Sequence, residues 1–140
     1  MACANKMTFK IVCPSVIRAA DTSFEAASYI KELSIIERFH TKQFGRFLDQ
    51  LDAVREPDGR TLLDNTMALL GSGMGNASSH SNKNLPLLLA GGGFKHGEHL
   101  RYEKGGTPAS NLFVSMLQRF GVETDKFNLA TGTLTGLEAA

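Results

Sequence analysis

The residues best suited to chemistry lie in one polar segment, residues 71–84, with the sequence GSGMGNASSHSNKN. Its single histidine, His80, belongs to the side-chain type that serves as a metal ligand or as a general acid or base near neutral pH. Most of the other side chains carry hydroxyl, amide or amine groups, which orient ligands by hydrogen bonding. Nine of the 14 glycines fall between Gly71 and Gly106. Because long polar loops are uncommon in small domains and are often functional, this segment is the first candidate site.

Three known glycine motifs do not fit this spacing. A dinucleotide fingerprint needs G-x-G-x-x-G before a helix, but the third glycine comes one position early and Pro86 follows. A phosphate-binding P-loop needs Gly-Lys-Ser/Thr, and a nucleophile elbow needs G-x-S-x-G, and the segment contains neither. The residues therefore predict a polar loop that presents His80, with a solvated turn as the alternative.

A second set of candidate ligands follows the next apolar run. His96 and His99 form an H-x-x-H pair with Glu98 between them. Such a pair is a loose signal, because a zinc site needs three or four strong ligands. The sequence alone therefore leaves both a metal site and an ordinary polar turn open.

The element that precedes this region is a long amphipathic helix, predicted over residues 24–55. Apolar residues and one histidine, His40, recur at intervals of three or four and share one face; they are Leu33, Ile36, His40, Phe44, Phe47, Leu51 and Val54. Ser23 is suited to cap the start, and the Pro57-Asp58-Gly59 turn ends the helix. A coiled coil is one reading; a helix packed on a sheet is the other, with His40 as a hydrogen-bonded core residue.

Two short apolar runs, residues 66–71 and 85–90, predict buried strands, because neither alternates with polar residues. This pattern favours an α/β domain: a layered sheet of mostly parallel buried strands covered by helices. A second helix is predicted over residues 109–120, ended by Gly121, and a loop from Val122 onward. Residues 1–23 are expected to be irregular apart from a short strand near residues 8–13, which leaves residues 24–140 as one α/β domain.

Composition narrows the functional classes. The chain has 140 residues and a formal charge of +1, a balance that provides no basic surface for nucleic acid. No apolar run is long enough to span a membrane, and no signal peptide is recognisable at the N-terminus. Cys3 and Cys13 match no zinc or redox motif. We therefore expect neither a nucleic-acid nor a membrane partner.

The residues 71–102, GSGMGNASSHSNKNLPLLLAGGGFKHGEHLRY, resemble the C-terminal part of the HXXSHH family, a bacterial family of unknown function. The resemblance continues in TPASNLFVSMLQRFGVETDKF and TGTLTGLE, and upstream in LSIIERFHTKQFGRFLDQL and GRTLLDNTM, so it covers about residues 30–139. It implies a distant relation to the alkaline-phosphatase-like fold, with His80 at a recurrent histidine position. It also implies an exported or periplasmic protein and a divalent metal (zinc, calcium or magnesium) in a longer chain.

Two departures from the family pattern bear on activity. Ser72 and Gly73 stand where the superfamily places an Asp-His pair, and residues 21–23 (Asp-Thr-Ser) stand where the family carries its Ser-His-His. The N-terminal half of the superfamily fold, which brings the nucleophile and the first metal ligands, has no counterpart in these 140 residues.

Two functions follow as expectations. In the first, the chain is non-catalytic by itself, and either self-associates through the apolar helix face or pairs with a missing N-terminal half. In the second, it is the C-terminal part of a metal-dependent phosphate or sulfate ester hydrolase, with His80 as a metal ligand. His96 and His99 are weaker candidate ligands. The candidate ligand-orienting and anion-binding side chains are Ser72, Asn76, Lys83, Asn84 and Arg101.

Overall fold

The computed structural model describes residues 10–12, 24–75, 79–102 and 106–137; for residues 10–12 and 24–29 it describes the backbone only. The chain forms two helices and four strands over these ranges. They are β1 (Lys10–Val12), α1 (Phe24–Ala53), β2 (Met67–Gly71), β3 (Leu87–Gly91), β4 (His99–Leu100) and α2 (Ser110–Arg119). Both helices and the strands β2 and β3 lie within two residues of their predicted bounds, whereas β4 was not predicted. Ser23 lies outside the described residues.

The strands form one sheet in the order β2-β3-β1-β4. β2 pairs antiparallel with β3, and β1 also pairs antiparallel with β3. β1 and β4 form the parallel pair. β1 lies between β3 and β4 and falls within the short strand predicted near residues 8–13.

The described sheet differs from the expected, mostly parallel one. Gly71 at the end of β2 lies opposite Leu87 at the start of β3, so the chain reverses direction between the two strands. The sequence pattern could not indicate strand direction, because a continuous apolar strand indicates only that both faces of a sheet are covered. An antiparallel sheet covered on both faces has the same sequence pattern.

Both faces of this sheet carry a core. On one face, Leu87 and Leu89 pack in a buried cluster with Phe94, Leu112 of α2 and Leu134 of the C-terminal segment. On the other face, Leu48 of α1 packs with Ala68 and Ala90, and Phe44, Leu51 and Leu63 surround them. Alternate residues of β2 and β3 therefore face different helices, as the pleat of a strand requires. A mixed helix and strand domain, with helices packed on the sheet, follows from these contacts.

Helix α1 is much longer than the strands it covers. Thirty residues in a helix span about 45 Å, whereas a five-residue strand spans about 17 Å. Residues 43–45, Leu48, Leu51 and Asp52 are buried or half-buried, but every residue from Ile30 to Lys42 is exposed. His40 lies in this exposed part, so its interpretation as a core histidine was wrong. Neither described helix has the length and hydropathy needed to cross a bilayer.

Helix α2 ends at Arg119, two residues before Gly121, the glycine that was predicted to end it. Gly121 has φ +90°, and its N–H donates to the carbonyl of Gln118 (3.0 Å). The N–H of Val122 donates to the carbonyl of Leu117 (3.0 Å), which completes a Schellman motif. The C-terminal segment then turns back toward the sheet, where two side chains of α2 bind it. The Asn111 side chain accepts from the N–H of Thr131 (3.0 Å). The Ser115 hydroxyl accepts from the N–H of Leu134 (2.8 Å).

Candidate functional site

The loop of residues 72–86 joins β2 to β3 and contains His80. The N–H of Ser72 donates to the carbonyl of Pro86 (3.3 Å), which continues the β2–β3 ladder into the loop. The N–H of Gly75 donates to the carbonyl of Ser81 (2.9 Å), so the chain closes a second time before its tip. Two backbone hydrogen bonds therefore join the two sides of the loop, one at Ser72 and one at Gly75.

Gly75 is where the two sides of the loop come closest. A Cβ atom at this position would lie 1.9 Å from the carbonyl oxygen of Lys83 and 2.7 Å from that of Asn84. Any other residue would push two backbone segments apart, so glycine is required here for close approach. This explains one of the clustered glycines by packing.

His80 itself is exposed and has a left-handed backbone, with φ +50°. Asn84 is half-buried and also left-handed, with φ +57°. Both residue types are enriched among the few non-glycine residues with this conformation, which nevertheless costs about 1–2 kcal/mol. The loop therefore holds His80 in a strained backbone conformation at its exposed end.

The polar side chains predicted to orient a ligand are partly engaged within the loop. The hydroxyl of Ser72 accepts from the N–H of Met74 (3.2 Å) and lies within donating distance of its carbonyl (2.9 Å). Ser81 uses its hydroxyl in the same way, as an acceptor for the N–H of Lys83 (3.3 Å). Lys83 and Arg101 are exposed. Asn76 lies outside the described residues.

The other two histidines occupy different settings. Nε2 of His96 lies 2.9 Å from the carbonyl oxygen of Gly91, and since a carbonyl only accepts, Nε2 carries the proton. Nδ1 is then an acceptor, and it is buried with no hydrogen-bond partner among the described residues. His99 is an exposed residue of β4 and pairs with Ile11 of β1.

These histidines do not form a metal site with the other described residues. Within residues 10–12, 24–75, 79–102 and 106–137, no three His, Cys, Asp or Glu side chains are placed to hold one ion. A zinc site needs three or four such ligands. The donor set that the structure describes therefore does not fit the divalent metal that the family resemblance implies, and any such site would need ligands from elsewhere.

The second glycine cluster, Gly91–Gly93, forms the turn after β3. All three residues have positive φ, at +73°, +66° and +68°. A Cβ at Gly91 would lie 2.2 Å from the carbonyl oxygen of Thr66, and one at Gly92 would lie 2.2 Å from Cγ of Met67. Both the conformation and the space therefore require glycine.

The carbonyl groups of this turn accept hydrogen bonds from Arg119 at the end of α2. The guanidinium group of Arg119 donates to the carbonyl of Gly92 (2.7 Å) and to that of Gly93 (3.1 Å). The N–H of Gly92 is used too, since it donates to the carbonyl of Leu63 (3.3 Å). Through these carbonyl contacts the turn connects β3 with the end of α2.

Sequence reasoning missed the residues that connect distant segments, above all Arg119, Asn111 and Ser115. Arg119 carried one usable signal, since a basic residue in the last turn of a helix is placed to bind carbonyl groups. Asn111 and Ser115 carried none, because their partners lie about 20 residues further along the chain. No protein-family model, curated protein or solved structure matches this chain.

Proposed function

We propose that the 140-residue chain is a non-catalytic α/β module, the C-terminal portion of a protein like those of the HXXSHH family, and that α1 provides its association surface. One observation carries this proposal: the apolar face of α1 continues past the end of the sheet, and none of the described residues covers it. The buried part of an apolar helix face stabilises the fold, whereas an exposed apolar patch on the same face is typical of an interaction site.

The exposed and the buried apolar residues of α1 lie on the same side of the helix. Residues 18 positions apart lie five turns apart on the same side of a helix, since a residue turns by 100°. Leu33 thus lies on the side of Leu51, and Ile30 on the side of Leu48. Leu48 is fully buried and Leu51 packs beside it, whereas Leu33 is 56% exposed. The same side of one helix therefore faces a core at one end and solvent at the other.

The exposed part of α1 is rich in large apolar side chains. At least 45% of the surface is exposed for each of Ile30, Leu33, Ile35, Ile36 and Phe39. Burying such a side chain fully stabilises a contact by about 1.5–3 kcal/mol, and half of that remains available here. The combined contribution of several side chains is enough to favour association.

The candidate loop supports the proposal that the chain has no independent catalytic activity. Ser72 and Ser81 use their hydroxyl groups for local turns, and His80 has no second and third metal ligand among the residues described. The purified chain should therefore show no turnover on a panel of phosphate and sulfate esters, with or without added Zn²⁺, Mg²⁺ or Ca²⁺. Turnover abolished by His80→Ala and kept by His40→Ala, the control on exposed α1, would overturn the proposal.

A second candidate function is the C-terminal part of a metal-dependent phosphate or sulfate ester hydrolase, with further ligands supplied by a longer chain. The left-handed backbone of His80 at the exposed end of a loop favours it, since strained conformations cluster at functional sites. Elemental analysis of a longer natural form tests this candidate. Stoichiometric metal that His80→Ala removes and His99→Ala retains would support it; metal-free folded protein would rule it out.

A further inference from the structure

The uncovered part of α1 has the residue pattern of a helix seam. With Leu33 placed at position a of a heptad, Ile36 falls at d and His40 at the next a. We propose that this seam, centred on Leu33 and Ile36 of α1, binds the same segment of a second copy of the chain in antiparallel orientation. The inference rests on the proposed function and adds to it the partner and its direction.

Charge decides the direction. Glu32 falls at position g and Glu37 at position e, so acidic residues flank the seam on both sides. In a parallel pair, a g residue faces the e residue five positions later on the other helix. Glu32 of each copy would then face Glu37 of the other, which places two like-charge pairs across one short interface. Such pairs oppose binding and select against that arrangement.

The antiparallel arrangement removes these pairs. When Leu33 lies opposite Ile36 of the second copy, the two-fold axis passes between Ser34 and Ile35. Glu32 then faces Phe39 of the second copy, and Glu37 faces Ile30. Each carboxylate lies beside an apolar side chain at the rim of the seam, where it stays solvated. The four central residues, Leu33 and Ile36 of both copies, form the apolar centre.

The position of the sheet fits the same arrangement. The sheet covers α1 from about Gln43 onward, so residues 30–42 extend beyond the described core. In the antiparallel pair the two sheets lie at opposite ends of the paired helices and do not compete for space. In this register residues 27–42 of the two copies overlap over about 24 Å, which places the interface at the small end of specific ones. We therefore expect a dissociation constant on the order of 10 µM.

Sedimentation equilibrium over a range of concentrations tests the surface. Leu33→Glu should raise the dimer dissociation constant at least about 100-fold, because both copies then carry a charge in the apolar centre. Ile35→Glu is the matched control, since Ile35 is the more exposed of the two (68% against 56%) and falls at position c, away from the seam. It should change the constant less than about threefold. Circular dichroism confirms that both variants fold.

Distances between spin labels test the direction. In a background with Cys3→Ser and Cys13→Ser, a label on Ser34→Cys lies near the axis of an antiparallel pair. A label on Lys42→Cys lies 15 helical residues from its equivalent, or about 22 Å further along the axis. An antiparallel pair therefore shows a clearly longer distance for position 42, and a parallel pair shows similar distances for both.

The outcomes separate this inference from the proposed function. A dimer that Leu33→Glu breaks but whose label distances are equal refutes the antiparallel pairing and leaves α1 as the association surface. A dimer that survives Leu33→Glu, or that Ile35→Glu weakens equally, refutes the surface itself. A chain that stays monomeric up to about 1 mM refutes the second copy as partner, while the ester panel still decides on catalysis.

Discussion

The guanidinium group of Arg119 at the end of α2 donates a hydrogen bond to the carbonyl oxygen of Gly93, 3.1 Å away, in the turn after β3. A second bond from the same side chain reaches Gly92. The contact joins residues that are 26 positions apart in the chain, and it holds the end of α2 against the C-terminal end of β3. It also explains the glycine at position 93, because a Cβ there would lie 2.0 Å from Nη2 of Arg119.

We predict that Gly93→Ala destabilises the protein by about 2–3 kcal/mol. Its φ of +68° costs a residue with a Cβ about 1–2 kcal/mol, and that Cβ would lie 2.0 Å from Nη2 of Arg119 and displace it from its carbonyl partners. Urea unfolding measures the change. Gly59→Ala is the control, since Gly59 has φ +85° but no described atom within 4 Å of its Cβ position; it should lose only the conformational part. Equal losses for both variants would show that the Arg119 contact contributes nothing.

The loop that presents His80 should depend on Gly75 and not on Gly73. Gly75→Ala places a Cβ against the carbonyl oxygens of Lys83 and Asn84, which are backbone atoms and cannot move aside alone. We expect faster amide hydrogen exchange at Gly75, whose bond to Ser81 closes the loop. Gly73 has open space and no positive φ, so Gly73→Ala should leave the exchange unchanged. A loop that exchanges equally in both variants would contradict the described closure.

The element boundaries could be predicted because they depend on local chemistry. The spacing of apolar residues determines α1, and Gly121 ends α2 through its left-handed conformation. Strand direction could not be predicted in this way, since Leu89 and Ala90 are buried on opposite faces whichever way the neighbouring strand runs. The position of His80 in a polar loop was visible in the sequence. Nε2 of His96 donates to the carbonyl of Gly91 and is therefore not available as a metal ligand. This contact could not be predicted, because it depends on how the turn folds.

Residues 131–134 should detach from α2 when Asn111 is replaced. The buried Asn111 side chain accepts from the N–H of Thr131 and donates to the Thr131 hydroxyl (3.2 Å) and to the Thr133 carbonyl (3.3 Å). Asn111→Leu leaves these groups without a partner, which should cost about 2–4 kcal/mol. It should also increase amide exchange at Thr131. Thr133→Ala is the control, because Asn111 binds only the backbone of Thr133. An unchanged exchange rate in Asn111→Leu would show that Leu134 alone holds the segment.

Asp64 should make stability depend on pH below about 3.8. Its carboxylate accepts from the backbone N–H of Thr61 (2.8 Å), a bond that holds the pKa of Asp64 below its usual value of 3.8; the Thr61 hydroxyl, which accepts from the N–H of Asp64, lowers the pKa further. A lowered folded-state pKa stabilises the fold above the unfolded-state pKa, and this contribution is lost as the pH falls through the folded-state value.

The variant that tests this is Asp64→Asn. Its loss of stability relative to the wild type should be present at pH 6 and should shrink as the pH falls below 3.8. Thr61→Val keeps the backbone N–H as donor, so NMR titration should still find the pKa of Asp64 lowered in that control. A stability difference that stays constant from pH 6 to pH 2 would mean that the carboxylate charge does not contribute.

Leu48 and Leu33 lie on the same helix with opposite surroundings, and their alanine variants should differ accordingly. Leu48→Ala removes a fully buried side chain from the cluster with Ala68 and Ala90, which should cost about 2–4 kcal/mol of folding stability at any protein concentration. Leu33→Ala should cost less than about 0.5 kcal/mol in dilute protein, because the side chain is 56% exposed there.

At concentrations above the dimer dissociation constant, however, the wild type gains stability by mass action and Leu33→Ala should not. Chemical unfolding at two protein concentrations, about 1 µM and 200 µM, separates these effects. Equal stabilisation of the wild type and Leu33→Ala between the two concentrations would show that the exposed half of α1 takes no part in association.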